Sequence, residues 1–470
     1  MTTLVERLAS FAAATTAATL PDEVRASVRQ RVLDIVGVSL AALTLDTSSA
    51  VIAHALEQGG TAQARAIGVG ERLPAASAAF VNGVLAHSLD YDDTHLPSIL
   101  HPSASIVPAS LAAAEASGAS GAETIAAIAA GLEICVRLGM AGYDPVVGNS
   151  LFFERGQHAT SICGAVAGAA SAAKLLGLDA EGIAHAMGIA VSMGSGVIEA
   201  NRAGGTVKRL HCGIAARSAV DAALLARRGF TGPPTALEGR FGFFQAWLDG
   251  RFDEAPLRDG LGERWEVPRI FFKPYPANHF THAGIDAAIA VRASSVAPDD
   301  IESIRLGVAT PTVRTIGEPI EAKRAPATGY LAQFSGPYTV VAALLGGSGL
   351  GLGLDDFTDA LAHDPRRCAL MALVDVVADR ECDAIYPMQF PAILRVRTRD
   401  DRELLERVMT NRGGPDRPLS DDELRIKFRD NALRVLDEQT ASEIADACAG
   451  LDDLASVEQL LAPTANAKKE

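Results

Sequence analysis

Residues 158–176 read HATSICGAVAGAASAAKLL, a run in which most side chains are Ala, Gly or another small or apolar group. A run that is apolar on more than one face predicts a helix buried inside a larger bundle rather than a helix on a surface. Small side chains also let neighbouring helix axes approach closely. Similar patterns recur in the first 265 residues, at 28–40, 75–89, 105–116, 122–138, 180–193 and 210–227. The sequence therefore predicts a large all-helical domain.

Composition and charge narrow the class of protein. The 470-residue chain is 48% hydrophobic and 21% charged, as in an ordinary soluble globular protein, and its net charge is −15. Without a surplus of basic residues, nucleic acid and anionic membranes are not expected partners. The N-terminal MTTLVERLASF carries charges inside its apolar pattern, so we expect no signal peptide. No run of about 18 apolar residues lacks charged or polar breaks, so we expect no transmembrane helix. Six scattered cysteines without a CxxC pair indicate reduced thiols in a cytoplasmic protein.

The pattern changes near residue 264. Residues 266–272, 301–307 and 392–396 predict strands, and the segments between them, at 283–293, 338–345 and 370–377, predict helices. Helical periodicity returns at 421–436 and 441–461. We therefore expect a mainly α protein. Residues 1–266 and 401–470 would form a discontinuous helical domain, and residues 267–400 a smaller α+β domain between its two parts.

Residues 90–94 read DYDDT, and histidines stand on both sides of this acidic loop. Histidines next to carboxylates favour a proton-transfer site, because each group sets the pKa of the other. Three other interpretations of the loop remain open. The loop could simply cap helices, because Asp and Thr are good N-caps. Asp90, Asp92 and Thr94 match the DxDxT motif of haloacid-dehalogenase phosphatases. That motif follows a hydrophobic strand, however, whereas the pattern of residues 75–89 predicts a helix. Asp92, Asp93 and His95 are also candidate ligands for a divalent cation.

Two further segments combine lysine with histidine. Residues 204–213, GGTVKRLHCG, form a Gly-containing loop that opens a helix, where backbone N–H groups and the helix dipole favour anions. Lys208 and Arg209 add positive charge there. Residues 273–282, KPYPANHFTH, place two histidines one helical turn apart after a lysine. Together these clusters favour an anion-binding acid–base site.

The same segments resemble the MmgE/PrpD family. Residues 87–94, HSLDYDDT, followed by HPS at 101–103, are similar to the family's signature. Residues 206–213, 272–287 and 334–338 are similar to three further motifs of the family, in the same order. The similarity covers nearly the whole chain and is specific for the family, but not for one reaction.

The resemblance implies a fold and a reaction class. The family combines a large all-α domain, made from the N- and C-terminal parts, with an α+β lid, usually as a homodimer. Its members include 2-methylcitrate dehydratase, cis-aconitate decarboxylase and iminodisuccinate epimerase. The substrate implied is thus a small di- or tricarboxylate, and each reaction makes or protonates a carbon next to a carboxylate. No metal and no organic cofactor is implied.

Site residues can be carried over from the decarboxylase branch of the family. The positions that match are Asp90, Thr94, His101, His158, Lys208, Lys273 and Tyr338. There are departures from the pattern. The loop between Thr94 and His101 is one residue longer than in the animal decarboxylases, Asn278 replaces a His of that branch, and many bacterial members carry Cys-Arg at 278–279. Substrate identity is therefore open.

The roles implied follow from the chemistry. Lys208 and Lys273 would hold substrate carboxylates and stabilise developing negative charge. His101 and His158 would transfer protons, and Asp90 would orient a histidine or act as base. Hydrogen bonds and further substrate contacts are expected from Thr94, Tyr338, Arg209, Asn278, His279 and His282.

Two alternatives to a lyase remain. An epimerase or isomerase is a close alternative, because abstraction of an α-proton serves both reactions. A non-catalytic family member that binds carboxylates is the second, although every polar site position except 278 is retained.

Overall fold

The structure is a computed structural model that describes residues 2–294 and 296–468. The chain forms two compact units. The helical unit contains the residues up to Ile270 together with the segment from Lys427 onward, and the α+β unit contains Phe271–Ile426. The α+β unit is thus longer than the segment expected at 267–400.

Helices dominate the first segment of the helical unit. Capping boxes begin two of them: Thr3 pairs with Glu6 at the start of the first helix, and Ser120 pairs with Glu123 at the start of the sixth. The helices are α1 (Leu4–Ala14), α2 (Asp22–Ala42), α3 (Asp46–Gln58), α4 (Ala75–His87), α5 (Ser103–Ser117), α6 (Gly121–Ala141), α7 (Leu151–Glu154), α8 (Ala159–Leu175), α9 (Ala180–Ala190), α10 (Ala200–Ala203), α11 (Val207–Arg227), α12 (Phe243–Leu248) and α13 (Ala255–Arg258). Two short antiparallel hairpins join them, β1 (Ala64–Arg65) with β2 (Arg72–Leu73) and β3 (Tyr143–Asp144) with β4 (Asn149–Ser150).

Helices α4 and α11 approach each other closely within this unit. A Cβ added to Gly83 would lie 2.7 Å from the carbonyl oxygen of Cys212 and 2.8 Å from Cα of Gly213. A Cβ added to Gly213 would lie 2.5 Å from the carbonyl oxygen of Phe80. Only glycine fits at these two positions, so the backbones touch, as the small residues in both runs predict. The end of α4 consequently lies beside the start of α11.

One helix of the helical unit is long and apolar enough to cross a membrane. It is α6, but 94% of the apolar window is buried inside the structure. The helix also carries Glu133 and Arg137, which form an ion pair at 2.6 Å. These features are those of a core helix. The pair α2 and α3 passes the same length and composition test only as one span, and the two helices are bent by 97°.

The α+β unit is built on a four-stranded sheet. Its strand order is β6 (Val374–Ala378), β5 (Ile301–Val308), β7 (Ala392–Thr398) and β8 (Glu403–Val408), in which β5 pairs in parallel with β6 and antiparallel with β7, and β7 pairs antiparallel with β8. The helices are α14 (His282–Ala293), α15 (Thr310–Ile316), α16 (Ile320–Arg324), α17 (Gly329–Ala332), α18 (Gly336–Leu345), α19 (Asp359–Ala362), α20 (Pro365–Met371) and α21 (Arg380–Asp383). Helices α14 and α18 share a hydrophobic core with the sheet.

Two sequence-based expectations for this part of the chain are wrong. The strand expected at 266–272 is replaced by a short 3₁₀ helix at Val267–Arg269, where Pro268 occupies the first turn and lacks the N–H that a strand ladder needs. The helix expected at 370–377 ends at Met371, and Val374–Ala378 forms β6. Three valines in five residues favour the strand there.

The C-terminal segment is helical. It contains α22 (Asp421–Ala432), α23 (Glu438–Ala449) and α24 (Glu458–Leu461). The boundary between the units falls inside α22. Helix α23 packs on α2 within the helical unit, so this unit is assembled from both ends of the chain.

The contact between α4 and α11 can be tested by adding one methyl group. Gly83→Ala should lower the free energy of unfolding by about 1–3 kcal/mol, because the backbone of α11 cannot move aside as a side chain would. Gly70→Ala is the control, since nothing lies within 4 Å of its added Cβ. Chemical denaturation of both variants measures the difference. Equal stability of the two variants would contradict the close approach.

Candidate active site

Four histidines lie in a row within the helical unit. In the order His101, His87, His158 and His211, successive ring centroids are 5.5, 5.3 and 5.0 Å apart. They come from the loop before α5, the last turn of α4, the N-cap of α8 and the second turn of α11. The row places the two predicted proton-transfer residues, His101 and His158, in one cluster.

His158 and His211 contact each other directly. Their Nδ1 atoms are 2.9 Å apart, so one ring donates a hydrogen bond to the other. Burial is the main reason why the pKa of His158 lies well below the usual histidine value, and the neighbouring histidines and Lys208 lower it further. Burial, with His87 and Lys208, lowers the pKa of His211 to about 4. Both rings are therefore neutral at pH 7.

His87 is paired with a carboxylate. Its Nδ1 lies 2.7 Å from Oδ2 of Asp92, and neither side chain is exposed. A carboxylate at Nδ1 holds a proton on that nitrogen, so Nε2 is the nitrogen that can accept a second one. Within the described part of the chain, Nε2 of His87 makes no hydrogen bond. This Asp–His pair is an arrangement that orients an imidazole for proton transfer.

The loop around His101 fixes the role of its Nδ1. Its Nδ1 lies 2.6 Å from the carbonyl oxygen of Asp93 and 3.2 Å from Oγ1 of Thr94. Because a carbonyl oxygen only accepts hydrogen bonds, Nδ1 carries the proton and Nε2 is the basic nitrogen. The backbone N–H of His101 donates to Oγ1 of Thr160 at 3.1 Å. Thr94 thus lies beside His101, and its contact with substrate stays a prediction.

Lys208 lies beside the acidic loop. Its Nζ is 3.4 Å from Oδ1 of Asp90, and both side chains are largely buried, at 11% and 4% exposure. Asp90 has φ 51°, in the left-handed region that is uncommon for residues other than glycine. The expected role of Asp90, to orient a histidine or act as base, stays a prediction. Arg209, the next residue, donates to Oγ1 of Thr47 at 2.9 Å.

A buried ion pair holds the acidic loop on α2. Asp93 lies 2.9 Å from NH1 of Arg31, with both side chains about 1% exposed. Asp93 also accepts hydrogen bonds from the backbone N–H and hydroxyl of Ser103, at the start of α5. Burial raises the pKa of Asp93, and the guanidinium of Arg31 opposes that shift. Asp93 therefore connects α2 with α5.

A second buried cation comes from the C-terminal segment. Nζ of Lys427 lies 2.6 Å from Oδ1 of Asp34, and it donates to the carbonyl oxygen of Tyr91 at 3.0 Å. The same ammonium group is 3.9 Å from the centroid of the Tyr91 ring, a cation–π contact. Helix α22 thus fixes the backbone next to Asp90.

The structure bears on two of the three alternative interpretations of the acidic loop, the phosphatase motif and the cation site. The phosphatase interpretation is wrong, because helix α4 and not a strand precedes the loop. The three candidate cation ligands have separate partners: Asp92 pairs with His87, Asp93 pairs with Arg31, and Nδ1 of His95 lies 2.7 Å from Oγ of Ser98. Over residues 2–294 and 296–468, no group of three or more His, Cys, Asp or Glu side chains is arranged to hold a metal ion.

Four predicted residues lie in one segment of the α+β unit. Lys273 is 1% exposed. Oδ1 of Asn278 accepts the backbone N–H of Phe280 at 3.1 Å, so Asn278 caps the 3₁₀ helix at His279–Thr281. The rings of His279 and His282 are 4.6 Å apart, and Nε2 of His282 donates to the carbonyl oxygen of Ala277 at 3.0 Å. Their roles toward substrate stay predictions.

Tyr338 lies in the hydrophobic core of the α+β unit. Its hydroxyl donates to the carbonyl oxygen of Asp356 and lies 3.4 Å from NH1 of Arg367. Burial is the main cause that raises its pKa to about 12. The hydroxyl is thus bonded within its own unit, and its role in the reaction stays a prediction.

Sequence reasoning did not assign roles to three members of the cluster. His87 and Asp92 are five residues apart, and His211 follows Lys208 by three residues, one helical turn. The helical spacing of Lys208 and His211 was a signal for a shared helix face. The pairing of His87 with Asp92 had no such signal, because the loop between them has no regular periodicity.

The titration of His211 predicts how stability depends on pH. An unfolded histidine has a pKa of about 6.5, whereas His211 in the folded chain has a pKa of about 4. Between these two pKa values the unfolded chain therefore binds more protons than the folded chain. The contribution of His211 to the free energy of unfolding is complete above about pH 6.5 and is lost as the pH falls towards 4. We expect a loss of up to about 1.4 kcal/mol per pH unit.

Urea unfolding of the wild type and His211→Asn, between about pH 7.5 and 5.5, measures this slope. The variant lacks the titrating ring, so its stability should fall less steeply. His363→Asn is the control, because His363 is exposed and hydrogen-bonded to the carbonyl oxygen of Asp359. Identical slopes for the wild type and His211→Asn would contradict the assignment.

Comparison with known proteins places the chain in a family. The model of the MmgE/PrpD N-terminal domain matches residues 6–255, and that of the MmgE/PrpD C-terminal domain matches residues 275–453. Cis-aconitate decarboxylase of Mus musculus is 32% identical over 397 residues, which cover 82% of this chain and 77% of that protein. The protein of the same name from Homo sapiens is 32% identical over 397 residues, 82% of this chain and 78% of its own length. That from Aspergillus terreus is 28% identical over 414 residues, covering 84% and 82%. The chain therefore belongs to the MmgE/PrpD family.

Proposed function

We propose that the protein is a cofactor-independent lyase, a decarboxylase or dehydratase, that acts on a small di- or tricarboxylate. Cis-aconitate is the first candidate substrate, since the relatives reported above are named for its decarboxylation. The observation that carries the proposal is the row of four imidazoles with the pair of Lys208 and Asp90 in the same unit. Imidazoles can take up and release protons, and an ammonium group can neutralise a carboxylate.

Decarboxylation requires that the protein stabilise a carbanion and then protonate it. When a carboxylate leaves as CO₂, the electrons of the broken C–C bond stay on carbon as a carbanion-like centre. That centre must be stabilised by a nearby cation and then take up one proton. Lys208 supplies a cation, and Lys273 is proposed as a second. The proton passes through Nε2 of His101 or His158, because Nδ1 of each ring already takes part in a hydrogen bond. Nδ1 of His101 is bonded to the carbonyl oxygen of Asp93, and Nδ1 of His158 to Nδ1 of His211.

Dehydration uses the same groups with a different leaving group. A base removes the proton next to a carboxylate, the cation stabilises the charge on carbon, and an imidazolium protonates the departing hydroxyl. The pair of His87 and Asp92 is suited to the base, because Asp92 stabilises the imidazolium that forms. We propose that imidazole and ammonium groups suffice for either reaction, without metal or organic cofactor.

A substrate panel tests the proposal. The whole protein is incubated in D₂O with cis-aconitate, citrate, 2-methylcitrate or iminodisuccinate, with and without exhaustive chelation, and products are followed by NMR. We expect loss of CO₂ or water with deuterium on carbon, unaffected by chelation. Inversion alone would indicate an epimerase, and binding without exchange a non-catalytic protein. Turnover that needs one specific metal would contradict cofactor independence.

Three substitutions should separate binding from proton transfer. Lys208→Met and Lys273→Met keep most of the side-chain stem and remove the charge. Each should lower kcat/KM by about 10-fold to more than 100-fold, because charge-assisted contacts with the substrate are lost. His101→Ala should mainly lower kcat, by about 10²- to 10⁴-fold, as expected for a general acid or base.

His54→Ala and His363→Ala are the controls for this series. Both side chains are exposed and lie outside the cluster. Steady-state kinetics on the substrate found in the panel gives the comparison. A similar loss in controls and site variants, or no loss in any of them, would show that the site is misassigned. A folded His101→Ala protein with unchanged kcat would leave proton transfer to His158 or His87.

We propose that the protein is a cytoplasmic homodimer. The family resemblance suggests the dimer, and exposed apolar side chains such as Val146, at 94%, and Phe241, at 87%, offer surface for association. All six cysteines are free thiols, as expected in a reducing compartment.

Sedimentation at micromolar concentration tests the dimer. We expect a mass near twice the chain mass of 48.9 kDa. Because apolar association is non-ionic, added salt should not dissociate the dimer. A mass near that of one chain would contradict it.

A further inference from the structure

His158 and His211 share a hydrogen bond between like nitrogens, since their Nδ1 atoms are 2.9 Å apart. One Nδ1 must carry a hydrogen and the other must not. A neutral imidazole has only one N–H. The ring that donates through Nδ1 therefore has an unprotonated Nε2, and the ring that accepts has a protonated Nε2.

We propose that His211 is a positioning residue that accepts the Nδ1–H of His158 and thereby keeps Nε2 of His158 unprotonated. The proposal rests on the proposed function, in which neutral His158 takes up and returns a proton. Uptake of a proton from water places it on Nε2, while the Nδ1–H of His158 continues to donate to Nδ1 of His211, and that hydrogen bond becomes charge-assisted and stronger. Release of the same proton to carbon restores the neutral ring.

The opposite tautomer would need a longer proton relay. With Nε2–H on a neutral His158, that proton could be donated only if Nδ1 of His158 took the Nδ1–H of His211 at the same time, and His211 would in turn have to take up a proton on its own Nε2. With His211 as the acceptor, His158 takes up and returns the proton at Nε2 alone.

The backbone holds the two rings together. The N–H of His158 donates to the carbonyl oxygen of Gly196 at 3.0 Å. Gly196 has φ 149°, and a Cβ there would lie 3.0 Å from Cβ of His158 and 3.5 Å from Cγ of His211. The carbonyl oxygen of His211 accepts the hydroxyl of Ser161 at 2.9 Å. Two backbone contacts and one glycine thus fix the distance between the rings.

The charged groups around the pair favour a neutral resting state. His87, with Asp92 behind it, faces His158 at a ring distance of 5.3 Å. The positive charges of Lys208 and of any protonated neighbouring histidine oppose protonation of both rings, and so does burial. One proton added to His158 is stabilised by the hydrogen bond to His211, but protonation of both rings at once is disfavoured.

The tautomer can be read without any substrate. The whole protein is labelled with ¹⁵N-histidine, and His158 signals at about pH 7.5 are identified by their loss in His158→Gln. We expect a protonated Nδ1 and unprotonated Nε2 for His158, and the reverse for His211. In His211→Leu the signals of His158 should shift towards Nε2–H. Nε2–H on His158 in the wild type would overturn the proposal, even if the proposed lyase activity is confirmed.

Kinetics supplies the second readout. His211→Leu should lower kcat by about 10-fold to 100-fold and leave KM nearly unchanged, as loss of an orienting partner does. His211→Asn places an amide oxygen near the position of Nδ1 and should restore most of kcat. His185→Leu, a partly buried histidine on α9, should behave as the wild type.

Equal losses in the Leu and Asn variants, or no loss in His211→Leu, would also overturn the proposal. If circular dichroism shows that His211→Leu does not fold, the wild-type tautomer and His211→Asn decide the question. Absence of turnover in the wild type on every carboxylate would contradict the proposed function while the tautomer measurement still stands.

Discussion

The close approach of α4 and α11 at Gly83 and Gly213 is the constraint on which the cluster depends. Because the backbones touch there, the last turn of α4 and the first turns of α11 lie side by side. His87 and the acidic loop therefore reach Lys208 and His211. Larger residues at the crossing would separate the helices, and hydrogen bonds of about 3 Å tolerate little displacement. The packing of Gly83 against Gly213 thus sets the geometry of the histidine cluster.

Buried charge supplies the second constraint. Arg31 with Asp93, and Lys427 with Asp34, are ion pairs whose side chains are at most 2% exposed. Desolvation makes such pairs weak contributors to net stability, but removal of one partner leaves an uncompensated charge that costs about 3–5 kcal/mol. They therefore act mainly by fixing position. Both pairs lie against the acidic loop, which explains how Asp90 is held at φ 51°. The C-terminal segment takes part through Lys427, so the loop depends on both ends of the chain.

Much of the fold can be predicted from periodicity, because small apolar residues at helical spacing leave few alternatives. The helices at 75–89, 122–138 and 210–227 have counterparts in α4, α6 and α11. Periodicity fails where segments are short: at 266–272 a proline overrides β-branched neighbours, and at 374–378 valines end a helical pattern. For the site, the clusters of histidine with lysine or aspartate indicated acid–base chemistry, and the family resemblance implied roles for His101, His158 and Lys208. The contact of His211 with His158 joins α11 to the start of α8 and depends on tertiary packing. The loop that brings Asp92 back to His87 has no periodicity from which their pairing could be predicted.

Four adjacent imidazoles cannot all be cations, and this links proton binding to substrate binding. Without an anion, burial and Lys208 keep His158 and His211 neutral. A multiply charged carboxylate beside Lys208 would offset the ammonium charge and favour protonation of the nearest imidazole. By linkage, a proton on that imidazole would strengthen binding of the carboxylate to the same extent. In a cluster of this kind, binding of an anionic substrate would favour protonation of one imidazole. That imidazolium would lose its proton again when the product carries less negative charge. For the carboxylate substrate proposed above, the net charge of −15 of the whole chain would make such local cations necessary, because the global field disfavours an anion.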